Sequence, residues 1–153
     1  MSLNAKSIAR LKGVHEDLQR VVQEAAKAGT NFVVLEGLRT RKRQEELVAA
    51  GASRTLNSRH LTGHAVDLGA VVGDSVRWDW DLYYSLASSI REAAVKLSIP
   101  LVWGGVWDRK LNDLSHNLKD EVALYQERFY FHNKRHPLID GPHYQLSEGE
   151  YPA

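Results

Sequence analysis

Along this chain the hydrophobic positions change period several times, and each change marks an element. Ile8, Leu11, Val14, Leu18, Val21, Val22 and Ala25 recur at the spacing of one helix face, which predicts an amphipathic helix over 7–28. Gly13 divides that run into a short first piece and a longer second one, and Gly29 supplies a stop. Phe32-Val33-Val34-Leu35 is a continuous apolar run of strand length. Residues 40–50 read as a polar helix that ends near Gly51. Ala65–Leu68 reads as a second strand, with Ala65 and Asp67 on one face and His64, Val66 and Leu68 on the other. Asp81 is the expected N-cap of a helix to about Leu97, with Leu82, Leu86, Ile90, Ala93, Ala94 and Leu97 as its apolar stripe. After Pro100, Leu101-Val102-Trp103 is a strand that runs into Gly104-Gly105, and His143–Leu146 is the last strand. Residues 111–131 are polar and read as part helical. Helices mixed with short, hairpin-like strands predict an α+β fold, a small antiparallel sheet with flanking helices.

Composition narrows the chemistry. A chain of 153 residues with no repeat, low-complexity tract or linker is most simply one domain, 1–153. It contains no cysteine, which removes disulfides, thiolate zinc fingers and cysteine nucleophiles. Any metal must be held by His, Asp or Glu. With 20 basic and 19 acidic residues the net charge is +1, so no nucleic acid or acidic membrane is called for as a partner. The N-terminal MSLNAKSIARLKGVHEDLQ has no continuous apolar stretch, and no run of membrane-spanning length exists anywhere. The expectation is a protein made in the cytoplasm without a signal peptide and without membrane insertion.

Two segments carry the candidate chemistry. SRHLTGHAVDLGA, from Ser58 to Ala70, sets His60 and Asp67 seven residues apart around Gly63. DGPHYQL, from Asp140 to Leu146, places an acid three residues before His143. Two histidines and a carboxylate make a zinc set with the fourth position free, as a catalytic site requires. Asp140 is then a spare acid where a general base is wanted. His64 competes with this choice, because His60 and His64 have the i, i+4 spacing of a helical zinc motif. Against it, Leu61 stands where that motif has glutamate, and Gly63 disfavours a helix. Spacing alone leaves both sets open. His15, His116 and His132 read as surface residues, and His136 has no assignment.

These segments resemble the LAS superfamily of zinc peptidases, named for lysostaphin, D-Ala-D-Ala metallopeptidases and sonic hedgehog. The chain is most similar to the D-alanyl-D-alanine carboxypeptidase (VanY-like) family, in particular its phage endolysin branch of L-alanyl-D-glutamate endopeptidases. The signature SxHxxGxAxD is matched by Ser58, His60, Gly63, Ala65 and Asp67, and the acid–histidine signature by Asp140 and His143. The branch's GLRT segment corresponds to Gly37-Leu38-Arg39-Thr40, followed by Gln44, and its WGGxW segment to Trp103-Gly104-Gly105-Val106-Trp107. The four motifs occur in the right order over roughly Leu11 to Leu146.

The resemblance implies one zinc per chain on His60, Asp67 and His143, with Asp140 as general base. It implies that Arg39 hydrogen-bonds the scissile carbonyl or the oxyanion. Ser58 would hydrogen-bond a ligand from behind, and Gln44 would orient Arg39 or substrate or else be a plain helix-surface residue. Trp103 and Trp107 would wall the cleft or sit in the core. Arg41, Lys42 and Arg43 read as a solvated face. One departure is visible: residues 108–139 separate the tryptophan motif from the acid–histidine motif, and read as a lid, a groove insertion or a surface excursion.

The implied substrate is the peptide stem of bacterial peptidoglycan, cut between L-Ala and D-Glu. The expectation is a single catalytic domain without a separate cell-wall-binding domain. By analogy, such a monomeric lysin reaches a thin Gram-negative wall from inside once a holin opens the membrane. Two other activities stay open: a D-Ala-D-Ala carboxypeptidase, and a non-catalytic zinc-binding structural module. A carboxypeptidase needs a closed pocket ending in a cation. The mixed charges of residues 108–139 offer no isolated one, which predicts a groove open at both ends.

Overall fold

The computed structural model describes residues 3–153, an α+β fold. Met1 and Ser2, the start of the segment read as lacking a leader, lie outside the described residues. The predicted N-terminal helix is two helices, α1 (Ala5–Arg10) and α2 (Glu16–Lys27), parted at Gly13. The apolar stripe of α2 buries Leu18, Val21, Val22, Ala25 and Ala26. Next come β1 (Phe32–Glu36), α3 (Arg41–Ala49) and a single 3-10 turn at Arg59–Thr62. β2 (Ala65–Val72) runs four residues beyond the expected strand and turns back into a short β3 (Ser75–Arg77). α4 (Trp80–Leu97) is followed by β4 (Leu101–Trp103) and β5 (Val106–Lys110), then α5 (Leu118–Asn133) and β6 (His143–Leu146).

Two expectations about boundaries are corrected. The N-cap of α4 is Asp79, not Asp81, and Tyr83 is buried where Leu82 was expected. Trp80 sets this register by packing its ring 5.2 Å from that of Tyr83. β3 and β5 are strands that periodicity did not mark. β3 is an exposed edge segment held by its pairing with β2, whereas β5 buries only Val106 at its start and is polar from Asp108 onward.

The sheet is antiparallel, in the order β1-β2-β6-β4-β5, with β3 paired to β2 on the edge opposite β1. Strand alternation gives it two faces. Val34, Val66, Leu68, Tyr144 and Leu146 point into one core with α2 and α4. Ala65, Asp67, His143 and Gln145 occupy the alternate positions and so lie on the other face. Residues 108–139 contribute the end of β5, a 3-10 turn at Leu111–Asp113 and α5. Leu111, Leu114, Leu118, Val122 and Tyr125 from this segment belong to the same core. No helix is long and apolar enough to cross a membrane among the described residues.

Candidate metal centre and cleft

Strand register builds the site. Asp67 is the cross-strand partner of Glu36 on β1 and of His143 on β6. One row across three strands therefore carries an acid, an acid and a histidine. His60 comes from the 3-10 turn, which Ser58 caps by accepting a hydrogen bond from the His60 backbone N–H at 3.2 Å. Gly63 closes that turn with φ of 75°, a left-handed conformation that glycine adopts without strain. This brings the His60 ring back over the start of β2.

The result is a three-residue donor set. The ligand atoms of His60, Asp67 and His143 lie within 4.8 Å of one another. His60 Nε2 and His143 Nδ1 each stand 3.3 Å from the same Asp67 Oδ1. Each ring is held from behind. His60 Nδ1–H donates to the Gly37 carbonyl at 2.9 Å, and His143 Nε2–H donates to Gln145 Oε1 at 2.8 Å. With an ion bound, these bonds would select the tautomers that leave both inner nitrogens as lone-pair donors, whereas without one the same nitrogens face Asp67 as hydrogen-bond donors. Two imidazoles and a carboxylate converging in this way form a group that fits a metal ion, and the set suits zinc.

Electrostatics follow from this geometry. Burial disfavours charge on Asp67, but hydrogen bonds from His143 and His60 outweigh it and hold the carboxyl well below its ordinary 3.8. Burial likewise opposes protonation of His143, yet its hydrogen bond to Asp67 and that charge raise it above 6.5. In metal-free protein the Asp67 contribution is present above 3.8 and lost as pH falls further. The His143 contribution is full below 6.5 and lost as pH rises through its raised value. The pair thus stabilises most between those two ordinary values. Thermal unfolding of chelator-treated wild type and Asp67→Asn across pH checks this: their Tm difference should peak in that window and narrow on both sides.

Asp140 lines the same cleft as the three candidate ligands, a cavity of about 370 Å³. Burial, and then the negative charge of Asp67, push its carboxyl above the ordinary carboxylate value. Its place depends on the Gly104 turn. Gly104 N–H donates to the His143 carbonyl and the Gly104 carbonyl accepts from Asp140 N–H, both at 2.8 Å. A Cβ on Gly104 would lie 2.1 Å from the Asp140 carbonyl oxygen, so only glycine permits this approach. The tryptophan motif is therefore the brace of the acid–histidine motif.

The other residues singled out in the sequence divide. Arg39 faces the cleft and is gripped on three sides. Its Nε–H donates to Glu36, its Nη1–H donates to Gln44 Oε1 at 2.7 Å, and Nη2 lies 3.7 Å from Asp67. Gln44 is fully buried rather than on a helix surface. Trp107 lines the cleft, its ring centroid 5.1 Å from that of His143 and its N–H bonded to the Leu138 carbonyl. Trp103 lies in the core, where it donates to the Gly141 carbonyl at 2.8 Å. His64 turns away from the donor set, bonding Thr62 Oγ1 at 2.7 Å and lying 5.6 Å from the His15 ring. Arg41 and Arg43 are exposed beside Glu45 and Glu46 at 3.6 and 3.8 Å.

Three contributors went unread in the sequence. Gln145 carries the usable signal, since it lies two residues after His143 in a strand and must share its face. Glu36 has none, because a bulge between Val34 and Glu36 shifts the register that brings it opposite Asp67. The Gly37 carbonyl is a backbone group that no side-chain pattern reports.

Three potential ligands beside a half-buried acid of raised proton affinity, in an open cleft, form an arrangement of the class that mononuclear metallohydrolases use. A family model described as phage L-alanyl-D-glutamate peptidase matches residues 1–146. The chain belongs to that family. It is 37% identical over 79 residues to the L-alanyl-D-glutamate peptidase of Listeria phage A118, a match covering 52% of this chain and 27% of the relative. The chain thus matches about a quarter of the length of that curated relative. The crystal structure of the Serratia marcescens L-Ala D-Glu endopeptidase ChiX superposes with a TM-score of 0.76 at 40% identity, covering 100% of this chain and 95% of that one.

Proposed function

We propose that this protein is a zinc-dependent peptidoglycan hydrolase, an endolysin, that cuts the stem peptide between L-Ala and D-Glu. The observation that carries this reading is the donor set of His60, Asp67 and His143, with Asp140 in the same cleft. Membership of a phage L-alanyl-D-glutamate peptidase family supports the choice of bond. The protein acts on the cell wall after release from the cytoplasm in which it is made, as a monomer.

In this reading His60, Asp67 and His143 hold the ion. When bound, zinc supplies Lewis acidity that makes water acidic near neutral pH and polarises a carbonyl. Asp140 takes the proton of the attacking water at its carboxylate and delivers it to the nitrogen of the leaving D-Glu. Its raised proton affinity suits both halves of that task. Arg39, held by Glu36 and Gln44, presents Nη2 to the carbonyl oxygen as negative charge builds there. Trp107 walls the cleft and shields the His143 ring from water. Ser58 fixes the His60 backbone, and Trp103 fixes the Gly141 carbonyl next to Asp140.

The deciding experiment is mass spectrometry of purified muropeptides after incubation with zinc-loaded protein. The expected products are glycan bearing L-Ala and peptides that begin with D-Glu. Release of D-Ala alone from pentapeptide stems identifies a carboxypeptidase, and unchanged muropeptides a non-catalytic module. A second measurement tests the ring support. Gln145→Leu removes the acceptor of His143 Nε2–H, so zinc affinity in a chelator competition should fall about 10–100-fold, the usual cost of losing such support.

A further inference from the structure

Two arginines line the cleft, Arg39 and Arg54. Arg39 is committed to Glu36, Gln44 and Asp67. Arg54 is exposed and, among the described residues, has no ion-pair or side-chain hydrogen-bond partner. It differs in this from Arg41 and Arg43, which lie beside acids three or four residues along α3. The acids lining the cleft are Glu36, Asp67 and Asp140, and the first two already face Arg39 or the histidines. One positive charge in the cleft is therefore free to meet a ligand.

Its loop is held, not loose. Gln44 Nε2 donates to Ser53 Oγ at 2.9 Å and to the Thr55 carbonyl at 2.6 Å, gripping the residues on either side of Arg54. Through Oε1 the same buried amide accepts from Arg39. Gln44 thus sets the placement of the Arg54 loop relative to the arginine beside the metal centre.

A glutamyl residue has two carboxyl groups. Its amine is consumed in the scissile bond and the peptide continues from one carboxyl only, so the other remains free within a few bonds of the reacting carbonyl. We infer that Arg54 receives this free carboxylate of the D-Glu residue and so determines specificity on the leaving side of the bond. A guanidinium fork matches a carboxylate in shape and charge. The inference rests on the proposed L-Ala–D-Glu specificity.

The test compares two synthetic muropeptides that differ only in whether this D-Glu carboxyl is free or a primary amide. Both are hydrolysed by zinc-loaded wild type, Arg54→Gln and Arg54→Lys. Wild type should favour the free carboxylate about tenfold in kcat/KM, the low end for a hydrogen bond to a charged group at an exposed site. Arg54→Gln should lose about that factor on the carboxylate substrate alone, erasing the preference, and Arg54→Lys should keep part of it. Unchanged Tm and zinc content are expected, since Arg54 is exposed. An equal loss on both substrates, no preference in wild type, or a preference that survives in Arg54→Gln would each overturn the assignment. Failure of wild type to cut either substrate at L-Ala–D-Glu instead overturns the proposed function itself.

Discussion

Replacing Asp140 by Asn should lower turnover by about 10²–10⁴, the usual contribution of a positioned acid–base group. The substitution keeps the shape of the side chain and the backbone bonds to Gly104 and His143. Zinc content and Tm should therefore stay close to wild type, which separates a lost proton carrier from a lost site. The carboxyl of Asp140 is raised above its ordinary value by burial and by Asp67, so it takes up a proton more readily than a solvated aspartate. Its base form is lost as pH falls, and the acid side of the wild-type kcat/KM profile should include that loss. Asn cannot titrate, so the variant's residual rate should lack it. Near-normal turnover in a zinc-loaded Asp140→Asn protein would remove Asp140 from the mechanism.

His60→Ala should cost about 10²-fold or more in zinc affinity. Structural zinc sites with four ligands gain roughly 10–16 kcal/mol, on the order of 3 kcal/mol per ligand. His60 is buried, with its ring fixed between Gly37 and Asp67, so no neighbouring side chain replaces it without moving the 3-10 turn. His64→Ala is the matched control. Its ring bonds Thr62 and faces His15, and elemental analysis should find its zinc stoichiometry unchanged. Retained zinc in His60→Ala with loss in His64→Ala would transfer the ligand role to His64. Affinity should also fall with pH, because the raised His143 holds a proton that the ion must displace.

Much of this was legible in the sequence, for reasons that differ by element. The period of Leu18, Val21, Val22 and Ala25 is a local property of one helix, and α2 buries those residues. The alternation of Ala65, Val66, Asp67 and Leu68 foretold which side chains leave the core. The histidine and acid spacings narrowed the donors but left His64 open beside His60, and it was the resemblance to the peptidase motifs that picked His60, Asp67 and His143, the three whose ligand atoms converge. Edge strands β3 and β5 escaped because polar residues there carry no hydrophobic period. The start of α4 was misplaced by two residues because two aspartates compete for its cap, and the packing of Trp80 against Tyr83 decided between them.

By itself the sequence determined the α+β class, the absence of thiol chemistry and the identities of His60, Asp67, His143 and Asp140 as chemically able residues. Those are properties of residue type and short-range order. Only the tertiary structure decided how they meet. The pairing of β2 between β1 and β6 puts Glu36, Asp67 and His143 in one row. The absence of a Cβ at Gly104 lets the Trp103 hairpin hold Asp140. Burial separates Trp103 from Trp107, although the sequence presents them as a pair. Gln44 sits between Arg39 and the Arg54 loop through contacts spanning up to eleven residues. Strand order, close approach and burial depend on which distant segments share a core, and no local pattern of residues encodes that.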